Sequence, residues 1–214
     1  MDTPLLPRYP RTPHLPSSPG ATADDVVGTW ASFAPSGDDE VIATLKMDGE
    51  NTTLHRGGVY ARSPSGRSRP WQDRIRAFAA GICPDIPDGL LISGENLTVP
   101  HSIVYDRALP PFMVFAAWEG DRCLSWAETV DWAELLGLAT VPVIYQGRRP
   151  LPQALHDAFL AVTDTSRDEG YVLRDAGSFT RRQFPERVAK WVRAGHLATD
   201  SNWPASKRTR PRAN

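Results

Sequence analysis

The chain has 214 residues with 24 basic and 25 acidic side chains, a formal net charge of −1. That length suits one domain with irregular ends and a sizeable core, and the balance excludes a chain that is basic throughout. Two cysteines, Cys83 and Cys123, lack CxxC spacing, so a disulfide framework and a zinc site are both excluded and reduced thiols are expected.

No basic-then-apolar leader opens the chain, and no apolar run approaches the roughly 20 residues that span a bilayer. A cytoplasmic protein with no membrane partner is expected. The charge is unevenly placed: 174–214 holds ten basic and three acidic side chains, so a basic segment follows an acidic body. Such a distribution fits contact with a polyanion. Only three of the 24 cations are lysines, namely Lys46, Lys190 and Lys207. Lysine can lose its proton and act as an amine nucleophile, whereas arginine effectively cannot.

Residues 1–23 are too rich in proline for a regular helix or a central strand and are expected to form an extended arm. Residues 41–47 alternate as a strand, with Val41, Ala43, Leu45 and Met47 on one face and Ile42, Thr44 and Lys46 on the other. Asp48-Gly49 predicts a turn after it. Segments 52–56 and 59–62 flank Gly57-Gly58 as a hairpin. A helix is predicted over 70–81, with Trp71, Ile75, Phe78 and Ala79 on one stripe. Strands follow over 89–99 and 112–118. Ser125-Trp-Ala-Glu128 is a capping-box pattern that opens a helix through Leu136. Segment 151–162 predicts a second amphipathic helix and 170–175 a short strand. This order predicts an α+β fold with largely antiparallel sheets rather than alternating βαβ units.

Several side chains could carry chemistry. Lys46 ends a strand just before Asp48-Gly49, a rigid place for a nucleophile that must first shed its proton. Glu95, after Gly94, and Glu169, before Gly170, lie in or beside apolar strands, where carboxylates can bind a ribose hydroxyl or hydrated Mg²⁺. Phe112-Met-Val-Phe115 could offer an aromatic face to a purine. Arg181, Arg182, Lys190 and Arg193 could hold phosphates. His14, His55, His101, His156 and His196 show no metal-ligand spacing. No P-loop sequence occurs, and Ser65 lacks a serine-hydrolase context.

These pieces resemble, in order, the motifs of ATP-dependent RNA ligases, within the superfamily that includes DNA ligases and mRNA capping enzymes. Lys46-Met-Asp-Gly-Glu-Asn51 looks like motif I, and Ala61-Arg62-Ser63 like the arginine motif after it. Ser93-Gly-Glu-Asn96 resembles motif III, Phe112-Met-Val-Phe115 motif IIIa, and Glu169-Gly-Tyr-Val-Leu-Arg174 motif IV. Ala189-Lys-Trp-Val-Arg193 resembles motif V. Tyr9-Pro-Arg-Thr-Pro-His-Leu15, Arg193-Ala-Gly-His-Leu197 and Asn202-Trp203 look like the edges of a bacterial and phage ligase family.

The resemblance implies a nucleotidyltransferase (adenylation) domain over 24–204, between the arm and a basic tail at 205–214. It implies a lysyl-AMP intermediate on Lys46, using ATP and Mg²⁺ or Mn²⁺, that joins RNA 5′-phosphate and 3′-hydroxyl ends. Asn51 and Arg62 would contact nucleotide sugar or phosphates, Glu95 the ribose, and Phe115 the adenine. Asp48, Glu95 and Glu169 would hold hydrated metal, and Lys190, with Arg193 near it, would reach the α-phosphate. The second motif V lysine is replaced by Val192, and the motif IIIa aspartate by Ala116. No second RNA-binding domain follows motif V, so substrate choice is expected to come from the core, its arms or a protein partner. Two alternatives share this pattern: a DNA-ligating or capping-type nucleotidyltransferase, and a non-catalytic module that binds nucleotide or RNA ends.

Overall fold

The computed structural model describes residues 7–33, 40–62, 72–99, 103, 105, 108–163 and 168–194. Ser63, Trp71, His101, His196, the Asn202-Trp203 edge and the 205–214 tail lie outside the described residues. Two sheets form the framework. In the first, β1 (Glu40–Leu45) lies between β8 (Val143–Arg148) and β9 (Gly170–Asp175), and β11 (Val188–Val192) pairs with the far side of β9. The second runs β10 (Phe179–Thr180), β6 (Arg122–Cys123), β5 (Phe112–Glu119), β4 (Leu90–Asn96), β2 (Glu50–His55) and β3 (Gly58–Ala61). Every pairing along both paths is antiparallel; the short β7 (Ala139–Thr140) joins β5 in parallel. The α+β expectation holds.

Helices cover the outer faces. α1 (Asp73–Ala79) and α2 (Trp126–Leu135) bury Ile75, Ala79 and Ala133 against Leu54, Ile92, Val114 and Ala117 of the second sheet. The Ser125–Glu128 capping box of α2 forms as predicted, with its serine and glutamate reciprocally bonded to backbone amides. α3 (Pro152–Val162) places Leu155 and Phe159 on Val41, Ala43, Tyr171 and Leu173 of the first sheet. α4 (Phe184–Arg187) leads directly into β11 and buries Phe184 beside Trp118 and Val188. The inner faces meet each other through two further apolar clusters. β1 is therefore buried on both faces, which is why Ile42 and Thr44 are as enclosed as Val41 and Ala43.

Two expectations change. The alternation predicted through Met47 stops at Leu45: Met47 packs with Ile42, on the face opposite Val41 and Ala43. The reason is topological. β1 and β2 belong to different sheets, so 46–49 crosses between sheets and is not a hairpin turn. The basic segment is also only partly a surface feature. Arg174 is buried and donates to the carbonyls of Phe115, Leu124 and Asp175, and Arg187 pairs with Asp175 at 3.2 Å. Both cysteines are free and buried. No described helix is long and apolar enough to cross a membrane.

Candidate nucleotidyl-transfer site

The site forms at one end of the space between the sheets, where strand alternation brings polar side chains inward. On the second sheet Leu54 points outward to α1, so Asn51 and Thr53 face inward, and their cross-strand partners Glu95 and Ser93 share that face. Thr53 and Ser93 bond to each other at 3.1 Å. On the first sheet Ala189 and Trp191 pack outward, so Lys190 faces inward opposite Val172.

Lys46 leaves β1 with its amide donating to the Gly170 carbonyl at 2.9 Å, and its Nζ lies 2.6 Å from Glu169 Oε2. A quarter of the lysine side chain is open (26%), whereas the Glu169 side chain is 7% exposed. Gly170 fits because any side chain there would strike the Trp191 carbonyl, and its φ of +156° also suits glycine. The Gly49 amide donates to Glu95 Oε1 at 2.9 Å, and a Cβ on Gly49 would run into the Asn96 carbonyl and Glu95 itself. The motif I glycine is thus needed for close approach and not for a positive φ. Asp48 is fixed from two sides: the Ile103 amide donates to its Oδ2 at 2.7 Å, and its own amide donates to the Tyr105 hydroxyl at 2.8 Å.

These charges set each other. Burial pushes the Glu95 carboxyl up; Lys46 opposes this, Glu169 and Asp48 add to it, and the pKa reaches about 8. Burial pulls the Lys46 ammonium down, but Glu169, Glu95 and Asp48 together more than offset it and leave the pKa raised. Lys190 is pushed down, first by burial and then by the Lys46 charge, with Asp25 and Glu169 acting against the shift and Arg62 adding to it. Without ligand, then, Lys46 is a well-held cation.

The remaining sequence-predicted residues are placed as follows. Asn51 Oδ1 is buried with no hydrogen-bond partner among the described residues, an acceptor left for a ligand donor. Arg62 donates its amide to the Asn51 carbonyl and is exposed. Phe115 has no direct partner on β4, because the register slips between Ser93 and Gly94. This bulge turns both Phe115 and Ala116 inward. Phe115 is partly buried, with Tyr9 edge-on at 4.9 Å. Arg193 is anchored on its own strand end: its Nε donates to the Asp168 carbonyl at 3.1 Å and its amide to that of Glu169, with the two Nη groups extending beyond these bonds. Val192 is fully buried, so no cation stands in the second motif V position. Sequence reasoning missed Tyr105, whose hydroxyl accepts from the Asp48 amide; a lone tyrosine carries no spacing signal.

A model of the RNA ligase family matches residues 39–192, which includes every one of these strands. The chain belongs to the RNA ligase family. Solved ligases share its fold. An archaeal ATP-dependent RNA ligase superposes with a TM-score of 0.56 at 19% identity, covering 88% of this chain and 48% of that one. Naegleria gruberi RNA ligase with PPi gives 0.52 at 17% identity, covering 75% and 51%. A mutant of the Naegleria ligase with ATP and Mn gives 0.51 at 16%, covering 75% and 52%. The chain therefore spans about half the length of these structures. No curated protein sequence matches it.

Among the described residues no three His, Cys, Asp or Glu side chains form a direct metal cage. Asp48, Glu95 and Glu169 nevertheless suit a hydrated divalent cation: all their donors are hard oxygens. Burial is the main cause of the raised Glu95 carboxyl, and the Glu169 and Asp48 charges that add to it are what an added cation would relieve.

Proposed function

We propose that this ligase-family chain adenylates itself on Lys46 from ATP and passes the AMP to an RNA 5′-phosphate for sealing by a 3′-hydroxyl. The observation that carries this reading is the Lys46 amine, 2.6 Å from Glu169 and among three acidic side chains, with Lys190 two strands away on the inward face of the same sheet.

The Nζ atom attacks the α-phosphorus. An N–P bond forms, the bond from phosphorus to the bridging oxygen breaks, and pyrophosphate leaves with that electron pair. The Lys46 ammonium loses one proton before attack, for which the Glu169 carboxylate is the nearest acceptor, and the nitrogen releases a second to solvent as the N–P bond forms. Asp48, Glu95 and Glu169 would hold a divalent cation, which would supply positive charge to offset these acidic groups and the phosphates. Burial by itself favours the neutral, nucleophilic form of Lys46, and it is the surrounding acidic groups that hold the charged form in the ligand-free protein. Lys190 steadies charge on the α-phosphate, Asn51 Oδ1 accepts from the nucleotide, Glu95 faces the ribose and Phe115 the base. Arg193 braces the Asp168-Glu169 backbone through its Nε and amide and follows Lys190 in the chain as a second cation of motif V.

The acceptor is tested by giving adenylated protein nicked RNA, nicked DNA or single-stranded RNA, each with a 5′-phosphate. Faster sealing of an RNA substrate is expected. Faster sealing of nicked DNA would transfer the reading to a DNA ligase, and AMP retained on the protein with every acceptor would limit it to the first step.

A further inference from the structure

The N-terminal arm is built into the β11 edge at the residue that matters most there. Both backbone groups of Lys190 are taken by the arm: its amide donates to the Pro13 carbonyl at 2.8 Å, and its carbonyl accepts from the Leu15 amide at 2.7 Å. Two residues further along, the Ser18 hydroxyl accepts from the Val192 amide at 2.9 Å and lies 3.3 Å from the Val192 carbonyl. The Gly20 amide also donates to that carbonyl, and Trp191 Nε1 donates to the Ser17 carbonyl.

Side chains lock this pairing. His14, 1% exposed, places Nδ1 2.8 Å from Ser18 Oγ and Nε2 3.5 Å from Asp25 Oδ2. Asp25 is held in turn by the Thr22 amide and hydroxyl and by Arg11. The result is a continuous chain of contacts, Asp25–His14–Ser18–Val192, that returns to the strand carrying Lys190. Burial raises the Asp25 carboxyl, but the Thr22 hydrogen bonds with the Lys190 and His14 charges outweigh it and hold the pKa at about 2. Asp25 therefore remains an anion within electrostatic reach of Lys190. Lysine is a flexible four-carbon chain whose charge must be aimed, and a lone edge strand gives it only one paired neighbour.

We propose that His14, Ser18 and Asp25 are positioning residues for nucleotidyl transfer, fixing the β11 edge and the direction of Lys190 through the arm. The inference rests on the Lys46 adenylation reading given above. It makes the arm part of the site.

The test uses the full chain and α-labelled ATP with Mg²⁺, in wild type, Ser18→Ala, Ser18→Thr, Asp25→Asn and Asp25→Glu, with amide exchange of β11 followed in each. Ser18→Ala and Asp25→Asn are mild enough to keep the two-sheet core, which thermal melting verifies. In both, a drop of about tenfold or more in the maximal labelling rate is expected, with the KM for ATP within about twofold, because misaim acts on the transition state. Amides of Lys190 and Val192 should exchange faster, and Ser18→Thr and Asp25→Glu should recover much of the rate. Folded Ser18→Ala and Asp25→Asn proteins that label at the wild-type rate would overturn the positioning role. A wild-type lane without label would instead overturn the adenylation reading on which it rests.

Discussion

Lys46 Nζ and Glu169 Oε2 are 2.6 Å apart although they lie 123 positions apart in sequence, because β1 and β9 pair antiparallel, so that β1 ends where β9 begins. In the ligand-free protein the pair holds the proposed nucleophile as an ammonium. Lys46→Arg keeps a cation for Glu169 but not an amine that can lose its proton. Label transfer from ATP should vanish while the melting temperature stays close to wild type. Labelling of the arginine variant at the wild-type rate would refute the assignment.

Glu169→Gln removes the anion and leaves a lysine that is about three-quarters enclosed with a neutral partner. Breaking such a pair costs about 3–5 kcal/mol when fully buried. The open side of Lys46 reduces this to about 1–2 kcal/mol in denaturant unfolding. Labelling should fall far more than stability does.

Glu95 gives the ligand-free protein a pH signature. Its folded pKa, about 8, is above the ordinary 4.5, so the folded state binds the proton more tightly than the unfolded one. Stability from this group is complete below pH 4.5 and is lost as pH rises toward 8. Glu95→Gln removes this loss. The melting-temperature difference, variant minus wild type, should grow across that window and then level off; a constant difference would contradict the environment described for Glu95.

Gly170→Ala drives a methyl group into the Trp191 carbonyl on the strand that carries Lys190. A loss of roughly 2–4 kcal/mol is expected from chemical denaturation. Gly49→Ala, which presses on Glu95, should instead reduce labelling with a smaller loss of stability.

Arg174→Lys separates a structural arginine from a phosphate-binding one. Arg174 is 4% exposed and spans three carbonyls, one of them at the Phe115 bulge, and stacks 5.6 Å from the Phe179 ring centroid. A lysine cannot reproduce that fork, and a loss of about 1–3 kcal/mol is expected. The salt dependence of RNA binding should be unchanged.

The contrast shows what the sequence could and could not convey. Alternation over 41–45, the Gly57-Gly58 hairpin and the Ser125–Glu128 cap were legible because each is a local rule acting on adjacent residues. The crossing at 46–49 was not, since Asp48-Gly49 reads the same whether the next strand joins its own sheet or another. β8 passed unseen because its sequence, with Gln146, Gly147 and Arg148, and its half-open edge position give no apolar alternation. β6, β7 and β10 have two residues each, below any period. Lys46, Glu95, Glu169 and Lys190 were legible as motifs. The arm's grip on Lys190 was not, because its bonds are made largely by backbone in a proline-rich stretch.

The central claim is tested most directly by incubating the purified chain with α-labelled ATP and Mg²⁺, after pyrophosphate has stripped any bound AMP, and mapping the labelled peptide from a denaturing gel. A single acid-labile label on Lys46 is the expected result. Nucleotide bound but no covalent label, or a label on Lys190 with Lys46 unmodified, would contradict it.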